Sequence, residues 1–476
     1  MRKSPDEVTA PRGISRRNIL KAAGTAAAAV PLVGGLSGAA QAAGTRKPVR
    51  PHCATSFYVS SAGSDTANGL STSTPWRTVS KVNQALSAGT IVRGDCVSFR
   101  QGDEFFGTIN SIPVAAVTDP VLTFGSYGSG ARPRISNYKV CSSSAGWSQD
   151  STNLWKIDIS AGSGAYTGNT TSTNVNVGFI RVNGVIKGFK KFDLASVAND
   201  WDFYDDGTKY LYVHLGTNPA LSGDVRAAVD GNIFTAQSAV AVRGLELCGS
   251  GGHGFRAPAP DGSITLDNSV IHEIGGSQLI YNGGPPLTRY GNGIEIWIGA
   301  SDISITGNQV YDVYDVGVTY QGSQVGAQLG WTNVHATNNT IHNCTQSFEM
   351  WSDGTNMNAG SGFVNCSFAN NTCSSAGSSW GAAVRPDTAG KSTHLLFYDT
   401  QLPTDLAITG NTFYDAVQNY CYLSSTNPPA GMVVDNNVIS LRAGTKLQYQ
   451  RAQTIEQAAA WTAASGMDAH STFKII

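Results

Sequence analysis

Two segments of the sequence carry a glutamate two positions before a tryptophan. They read NGIEIW and QSFEMW, so the acidic residues are Glu295 and Glu349 and the aromatic residues are Trp297 and Trp351. Two carboxyl groups that face the same space can act as the acid and the base in hydrolysis of a glycosidic bond. Flat indole rings offer an apolar surface to a sugar ring. These residue types therefore indicate carbohydrate chemistry.

The apolar residues around the two glutamates predict which way each side chain points. Ile294, Ile296, Phe348 and Met350 flank the glutamates, and alternate residues of a strand face opposite sides of a sheet. We therefore expect the apolar side chains to face a core and the glutamates to face outward, toward solvent.

Stacked strands would bring the two glutamates to one wall. A third strand lies between the two segments and a fourth follows them, so Glu295, Thr319, Glu349 and Arg385 would form one column. Neighbouring strands are about 4.8 Å apart, which puts the two glutamates roughly 9–10 Å apart. A separation of about 6.5–9.5 Å is typical of inverting glycosidases, and about 5–5.5 Å of retaining ones.

The position of Arg385 predicts a role for each glutamate. Beside Glu349, Arg385 should lower the pKa of that carboxyl and keep it ionised, as a base that activates water requires. Glu295 would have no such cation in the column, so we expect it to be the acid that protonates the leaving oxygen.

Further polar and aromatic residues are candidates for the same site. Asp312 and Asp315 precede the Thr319 strand, where either could replace one glutamate or bind Ca²⁺ with it. Both could instead be turn residues that accept hydrogen bonds from backbone N–H groups. We expect Trp297, Tyr320 and Trp351 to form a sugar-binding platform, with Asp387 as a further substrate-binding residue.

A polysaccharide lyase is the alternative enzyme class. It needs a basic side chain as the base and a cation or metal ion to neutralise a uronate carboxylate. The candidate bases are Arg289, Arg385, His342 and His394, with Lys187, Lys190 and Lys191 earlier in the chain. No basic cluster stands beside the acidic column, but Arg385 could serve as the base if the glutamates held Ca²⁺. A non-catalytic glycan-binding protein is the third possibility.

A repeated phrase organises the chain that positions these residues. It consists of a β-type run, an asparagine, one spacer and an apolar residue, and its asparagines are Asn268, Asn308, Asn339, Asn371, Asn411 and Asn436. Short strands repeated at variable intervals are typical of a solenoid. Asparagine tolerates the left-handed turn conformation, and its amide can bond the asparagine one coil away.

These stacked turns resemble a right-handed parallel β-helix of the pectate-lyase-like superfamily. The segments Phe57–Gly69, Pro75–Thr78, Gly94–Gly102 and Phe124–Gly130 are similar to the opening of carbohydrate-active members. The resemblance covers most of residues 55–440 and implies an all-β solenoid. It says less about chemistry, because the superfamily contains lyases, hydrolases, epimerases and plain binders.

The remaining segments fit around the solenoid. Residues 76–87 predict a short amphipathic helix that caps one end, and Thr454–Gly466, within a C-terminal capping segment at 441–476, predicts a second. Residues 140–225 break the repeat and predict an inserted antiparallel β excursion.

The N-terminus predicts export. Ser15–Lys21 (SRRNILK) is a twin-arginine motif, and an alanine-rich stretch follows it to a small-residue cleavage site at Ala40–Ala42. We therefore interpret residues 1–42 as a signal peptide read by the twin-arginine export machinery and residues 43–54 as a linker. The protein would be periplasmic or secreted. Pro31 and two glycines interrupt the apolar stretch, so stable membrane insertion is not expected.

Composition narrows the partners and cofactors. The formal net charge is -1 and charged residues make up 14% of the chain, so no basic surplus exists to bind nucleic acid. The eight cysteines lack zinc-binding spacing, and most are expected to be buried. We expect no cofactor, with Ca²⁺ as the one possible ion. The sequence thus predicts an exported enzyme acting on a polysaccharide or oligosaccharide, with glycoside hydrolysis favoured over a lyase reaction.

Overall fold

The computed structural model describes most of the chain beyond its N-terminal region. The described residues are 53–111, 121–237, 239–258, 262–279, 288–322, 330–352, 362–385, 390–398, 404–425 and 427–476. The predicted signal peptide lies outside them, as does all but the end of the predicted linker. Within the described residues, no helix is both long and apolar enough to cross a bilayer.

The chain winds through three parallel sheets that run the length of a β-helix. Each full turn contributes one strand to sheet A, one to sheet B and one to sheet C, in that order. All pairings within the three sheets are parallel. The predicted parallel β-helix is confirmed, and its right-handed sense is the one that parallel crossover connections favour.

The strands of each sheet follow one another along the helix. Sheet A contains Ser56–Val59, Cys96–Arg100, Leu122–Tyr127, Val240–Arg243, Ile264–Asp267, Ser301–Thr306, Trp331–Thr337, Phe363–Ala369, Thr404–Thr409 and Val433–Asp435. Sheet B contains Glu104–Phe106, Arg134–Ser136, Glu246–Ser250, Val270–Ile274, Thr372–Ala376, Thr412–Ala416, Val438–Leu441 and Thr472–Ile475. Sheet C contains Ile109–Asn110, Phe234–Thr235, Phe255–Ala257, Ile294–Trp297, Thr393–Tyr398, Asn419–Leu423 and Lys446–Gln448. Two long strands, Gln309–Gly322 and Thr340–Ser352, bend from sheet B into sheet C.

A column of buried asparagines marks the corner between sheets A and B. Its members are Asn308, Asn339, Asn371, Asn411 and Asn437. In each successive pair, the backbone N–H and Nδ2 of one asparagine both donate to Oδ1 of the next, over 2.9–3.1 Å. Each Nδ2 also donates to a main-chain carbonyl of the preceding turn at 2.9–3.1 Å. We call this column the asparagine ladder.

The predicted ladder is correct at four positions and one residue early at two. Asn268 and Asn436 each lie one residue before a ladder position. The ladder positions themselves are occupied by Ser269 and Asn437. The left-handed conformation belongs to the residue before each ladder position, with φ of 46° at Asn268 and 58° at Asn436. The sequence predicts that one asparagine has both the left-handed conformation and the hydrogen bond to the next turn. In the structure, these two properties belong to two adjacent residues.

A second set of left-handed residues bends the chain from sheet B into sheet C. Glu273, Asp312, Asn343, Ser375 and Asp415 occupy it, with φ of 51–55°. A positive φ is tolerated best by glycine, asparagine and aspartate, which explains most of these residue types.

The core is apolar throughout and is closed at both ends. The predicted first helix begins later than expected, at Val79, and runs to Ser87, because Trp76 instead bridges to Val59 and stacks on Phe57. Its buried residues join the core. Near the C-terminus, the single turn Ile455–Gln457 leads into the helix Ala458–Ser465, which buries Trp461 in the same core. A further short helix, Trp380–Val384, lies beside the two long strands.

The predicted antiparallel excursion is confirmed and has its own core. One of its sheets contains Thr167–Gly168, Tyr138–Val140, Val225–Val229, Val177–Val182 and Val185–Lys187, and the other contains Trp147–Ser151, Leu154–Asp158, Tyr210–His214 and Phe203–Asp205. A two-stranded pairing of Ser277–Gln278 with Arg289–Tyr290 lies next to it. Single-turn helices at Ser144–Gly146, Leu194–Ser196 and Pro219–Ser222 complete the excursion.

Most of the cysteines are buried thiols, as composition and spacing predict. Cys53 and Cys96 form a disulfide that ties the start of the described chain to sheet A. The other six are free and buried.

We expect the asparagine ladder to stabilise the fold more than its left-handed neighbours do. Asn371→Ala would leave the two Asn339 donors and the Ala336 carbonyl without their partner and should lower the free energy of unfolding by about 2–4 kcal/mol. Asn370→Gly is the control, because glycine adopts the left-handed conformation freely. Urea denaturation of both variants measures the difference, and equal losses would contradict the ladder.

The C-terminal end of the ladder should make stability depend on pH. Asn437 donates to Asp468 Oδ1 at 3.0 Å, but hydrogen bonds from Ser471, Asn437 and Tyr420 only partly oppose the effect of burial on this carboxyl. Burial raises the pKa of Asp468 to about 6, so the ionised form is disfavoured in the folded state. The stability supplied by the neutral carboxyl is complete below pH 4 and is lost as the pH rises through 6.

Asp468→Asn should remove this pH dependence. We expect the variant to exceed the wild-type protein in unfolding free energy by about 1–3 kcal/mol at pH 8 and to match it near pH 4. Denaturation at the two pH values tests this, and a variant that is less stable at pH 8 would show that Asp468 is not strained by its charge.

Candidate active site

The outer wall of sheet C carries the two glutamates in one column. Arg256 pairs with Glu295, Glu295 with Thr319, and Thr319 with Glu349. The two glutamates therefore lie two rungs apart, as the spacing predicts. The next rung holds Leu396, so Arg385 is not in the column. That prediction is wrong because the helix Trp380–Val384 immediately precedes Arg385 and no strand forms there.

Alternation along the strands places the glutamates outside the apolar core. Ile294, Ile296, Phe348 and Met350 all belong to that core, as predicted. A glycine stands two residues before Glu295 and two residues before Thr319, and a Cβ on Gly293 would lie 2.7 Å from the Gly317 carbonyl oxygen. Glycine at this bend therefore allows successive rungs to approach closely.

Glu295 accepts hydrogen bonds from two donors and lies beside an imidazole. Arg256 Nε donates to Oε2 over 2.6 Å and Gln321 Nε2 donates to Oε1 over 2.7 Å, while His253 Nε2 lies 3.1 Å from Oε2. A carboxylate offers about four acceptor positions, two on each oxygen, so Oε1 can accept a further donor. Glu295 thus has a cation beside it, contrary to the prediction that none stands in its column.

His253 is a neutral imidazole beside Glu295. Its Nδ1 accepts the backbone N–H of Asn292 at 3.0 Å, so its proton lies on Nε2, facing Glu295. Burial lowers the pKa of His253 below its ordinary value, although Glu295 opposes the shift. Tyr290 packs edge-on against the His253 ring, and its hydroxyl donates to Asp230 Oδ1 at 2.5 Å. Burial and Asp230 together raise the pKa of Tyr290, which keeps that hydroxyl protonated.

Glu349 accepts a hydrogen bond from the rung that separates it from Glu295. The Thr319 hydroxyl donates to Glu349 Oε2 at 3.0 Å. Glu295 and Glu349 are 2% and 0% exposed, so the expectation that both face open solvent is wrong. They point away from the core, but neighbouring groups cover them.

Asp315 and Arg385 form a buried ion pair with each other. Arg385 Nη1 contacts Asp315 Oδ1, and its guanidinium lies over the ring of Tyr314. Asp315 also interacts electrostatically with His253, so this pair borders the Glu295 cluster. Its partner makes Asp315 a poor replacement for either glutamate.

Asp312 occupies the left-handed corner between sheets B and C. Burial raises the pKa of Asp312, and a hydrogen bond from Asn343, the corner residue of the next turn, opposes the shift. Its position corresponds to the turn-residue interpretation, and its backbone carbonyl accepts from Trp380 Nε1 at 3.3 Å.

Two of the three predicted platform residues share the outer wall. The rings of Trp297 and Trp351 are 6.5 Å apart and inclined at 49°, and Arg256 lies over the ring of Trp297. Tyr320 is fully buried in the core and donates to the Ser367 carbonyl at 3.0 Å, so it cannot bind a sugar. The reason is alternation, because Tyr320 follows the outward-facing Thr319. Asp387 lies outside the described residues.

The other candidate bases for a lyase reaction lie elsewhere. His394 is fully buried, and burial lowers its pKa to about 3. Arg289 donates to the Gly276 and Gly178 carbonyls and joins the excursion to the solenoid. His342 stacks on Tyr311 on the wall of sheet B.

Metal ligation fits poorly at the glutamates. The oxygens of Glu295 already accept from Arg256 and Gln321, and the charge of Arg256 would oppose a nearby Ca²⁺. A separate group on sheet B brings Glu246, Cys248 and His272 within 4.8 Å of one another. There, Glu246 Oε1 is already bonded to Arg134 and His272.

The sequence reasoning missed the residues that surround Glu295. His253 and Arg256 belong to the segment HGFRA, which repeats the glycine–apolar–polar–apolar pattern of GIEI one rung earlier. Extending the column upstream by one rung would have found Arg256. Nothing in the local sequence identifies Asp230 and Tyr290, which reach the site from outside the column.

The chain is similar in sequence to a curated glycosidase. A lacto-N-biosidase of Bifidobacterium longum is 28% identical over 236 residues, which are 48% of this chain and 12% of that protein. The chain therefore spans about an eighth of the length of its curated relative. No protein-family model matches.

Solved structures with a similar chain path include both hydrolases and lyases. A GH136 lacto-N-biosidase from Eubacterium ramulus is 13% identical, with a TM-score of 0.37 over 89% of this chain and 68% of that one. A rhamnogalacturonan lyase is 11% identical, with a TM-score of 0.37 over 82% of this chain and 74% of that one.

We expect the Asp315–Arg385 pair to act as a structural unit. Arg385→Met would leave Asp315 buried without its cation and should lower the free energy of unfolding by about 3–5 kcal/mol. Adding Asp315→Leu removes the uncompensated charge and should restore more than half of that loss. Chemical denaturation of both variants measures this, and a double variant no more stable than Arg385→Met would contradict it.

Proposed function

We propose that this protein is an exported glycoside hydrolase that acts on a polysaccharide or oligosaccharide. The observation that carries the proposal is the register of sheet C, which aligns Glu295 and Glu349 on one outer wall with Thr319 between them. The half-buried rings of Trp297 and Trp351 on the same wall support a sugar ligand.

The neighbours of the two glutamates suggest their roles. Arg256 stands beside Glu295 as Arg385 was expected to stand beside Glu349, so Glu295 is the base that activates water at a remaining acceptor position on Oε1. Glu349, whose Oε2 accepts from the Thr319 hydroxyl, is the other carboxyl of the pair and is the acid that protonates the leaving oxygen. These roles are the reverse of those that the sequence predicts, because the cation in the column stands beside Glu295.

The separation of the carboxyl groups suggests inversion. Two rungs correspond to roughly 9–10 Å, which leaves room for a water molecule on the face opposite the leaving group. The scheme requires no metal ion and no organic cofactor. The name of the curated relative, lacto-N-biosidase, is that of a glycosidase and supports hydrolysis over elimination.

The N-terminal sequence supports the export part of the proposal. The twin-arginine motif at Ser15–Lys21 and the cleavage site at Ala40–Ala42 support delivery of the folded enzyme to the periplasm or the medium. Glycans outside the cytoplasm are the corresponding substrates.

Replacement of either glutamate should abolish turnover but not binding. We expect Glu349→Gln and Glu295→Gln each to lower kcat by about 10²–10⁴-fold on any glycan that the wild-type protein cleaves. Glu456→Gln, an exposed glutamate near the C-terminus, is the matched control and should keep wild-type turnover. Reducing-end release measures the rates on a glycan panel, and pull-down on the same glycans measures binding.

Product analysis separates the alternatives. Proton NMR of the first product should show the anomer opposite to that of the substrate. Ultraviolet absorbance from a new C4–C5 double bond would instead identify a lyase. Binding without any product would identify a non-catalytic glycan-binding protein, and unchanged turnover in Glu349→Gln would remove the assigned acid.

A further inference from the structure

A cleft lies near the N-terminal end of the solenoid, outside the glutamate column. Its walls come from the helix Val79–Ser87, residues 106–108 of the solenoid, the loop at 169–174 of the excursion and residues 230–231. Its volume is about 320 Å³, at the lower end of the range for small-molecule sites. We call it the amide cleft.

Neutral polar side chains dominate the amide cleft. Asn83, Asn137, Asn169 and Asn174 line it, and Phe106 contributes an aromatic surface. Amides can donate to and accept from sugar hydroxyls, while an aromatic surface suits the C–H face of a ring. A pyranose has both features, because its hydroxyl groups are polar and the C–H face of its ring is apolar.

Hydrogen bonds among these side chains hold the cleft in one shape. Asn137 is buried and donates to the Val229 carbonyl at 2.7 Å, and its Oδ1 accepts from Asn169 Nδ2. Asn169 Oδ1 accepts the backbone N–H of Ser172 at 3.2 Å, which fixes the loop of the excursion. A ligand would therefore meet polar groups that are already positioned.

Asp230 connects the cleft to the glutamate column. Its Oδ2 accepts from Asn174 Nδ2 at 3.3 Å, and its Oδ1 accepts from the Tyr290 hydroxyl at 2.5 Å. Tyr290 packs on His253, whose Nε2 lies 3.1 Å from Glu295 Oε2. The floor of the cleft and the proposed base are thus joined through two side chains.

We propose that the amide cleft binds one neutral sugar residue of the substrate and discriminates against uronic acids. The inference rests on the proposed function, since the cleft would be a subsite of the same glycan-cleaving enzyme. Asp230 is the specificity residue.

The charges around the cleft support a neutral ligand. No lysine, arginine or histidine is among the described residues that line it, and Asp230 would repel a sugar carboxylate. Lys190 interacts electrostatically with Asp230 but is occupied elsewhere. Its three donors face Asp205 at 2.8 Å, Asn176 at 2.9 Å and the Val177 carbonyl at 2.7 Å. A uronate would therefore find no counter-ion in the cleft.

Sugar binding to the exported form of the full chain tests the proposal. The probes are glucose, galactose, xylose and N-acetylglucosamine, compared with glucuronic and galacturonic acid, by saturation-transfer NMR at pH 7. We expect at least one neutral sugar to bind, and its matching uronic acid to bind about tenfold more weakly or not at all. Asp230→Asn should narrow that difference while keeping the acceptor for Tyr290.

A blocked cleft provides the second measurement. Ser80 is exposed and lines the cleft, so Ser80→Trp should fill it and abolish binding of the neutral sugar without disturbing the core. Ser87→Trp is the matched control, because Ser87 is exposed near the end of the same helix and is not among the lining residues. Binding that survives Ser80→Trp, or equal binding of neutral sugars and uronic acids, would overturn the proposal.

Glu349→Gln separates this proposal from the proposed function. The variant should bind the neutral sugar as the wild-type protein does, although turnover is lost. If the wild-type protein binds a neutral sugar but turns over no glycan, the proposed hydrolase activity is wrong and the proposed sugar site in the amide cleft is retained. If the wild-type protein cleaves a glycan but binds no neutral sugar, the proposed sugar site in the amide cleft is wrong and the proposed hydrolase activity is retained.

Discussion

Register between rungs is the constraint on which the rest of the structure depends. In a strand, a slip of one residue turns every side chain to the opposite face of the sheet. The asparagine ladder opposes such a slip because each amide bonds both the next asparagine and the main chain of the preceding turn. Ile294 and Phe348 therefore stay inside, and Glu295 and Glu349 stay on one outer wall. The proposed chemistry is a result of this alignment.

The fold could be predicted largely because its repeat is local. Alternation and a recurring turn residue are properties of short segments, and they correctly predict a parallel solenoid and four ladder positions. The errors at Asn268 and Asn436 have a physical cause. Where two asparagines are adjacent, as at Asn436 and Asn437, either could occupy the ladder, and only hydrogen bonds across rungs decide which one does. At the first turn the ladder position holds Ser269, which the repeated phrase does not specify.

The site could be predicted less well because its environment is assembled from distant segments. The relation of Glu295 to Glu349 follows from strand lengths, and it is correct. The surroundings of Glu295 depend on His253 and Arg256 from the rung before it and on Gln321 from the rung after it. Arg385 was misplaced because a five-residue helix replaces the expected strand. The predicted place of Tyr320 in the sugar-binding platform is different, because the sequence itself contradicts it. The alternation that faces Thr319 outward also turns its neighbour Tyr320 inward.

The asparagine ladder also has a consequence for how such a protein can diversify. Consecutive ladder residues are separated by 26 to 40 residues of sequence, yet their hydrogen bonds differ by no more than 0.2 Å. One corner of each turn is therefore kept constant while connections at the other corners change in length. Mutation can lengthen or shorten these connections without breaking the amide chain. The ladder corner can therefore keep the fold constant while the connections that would contact a ligand change.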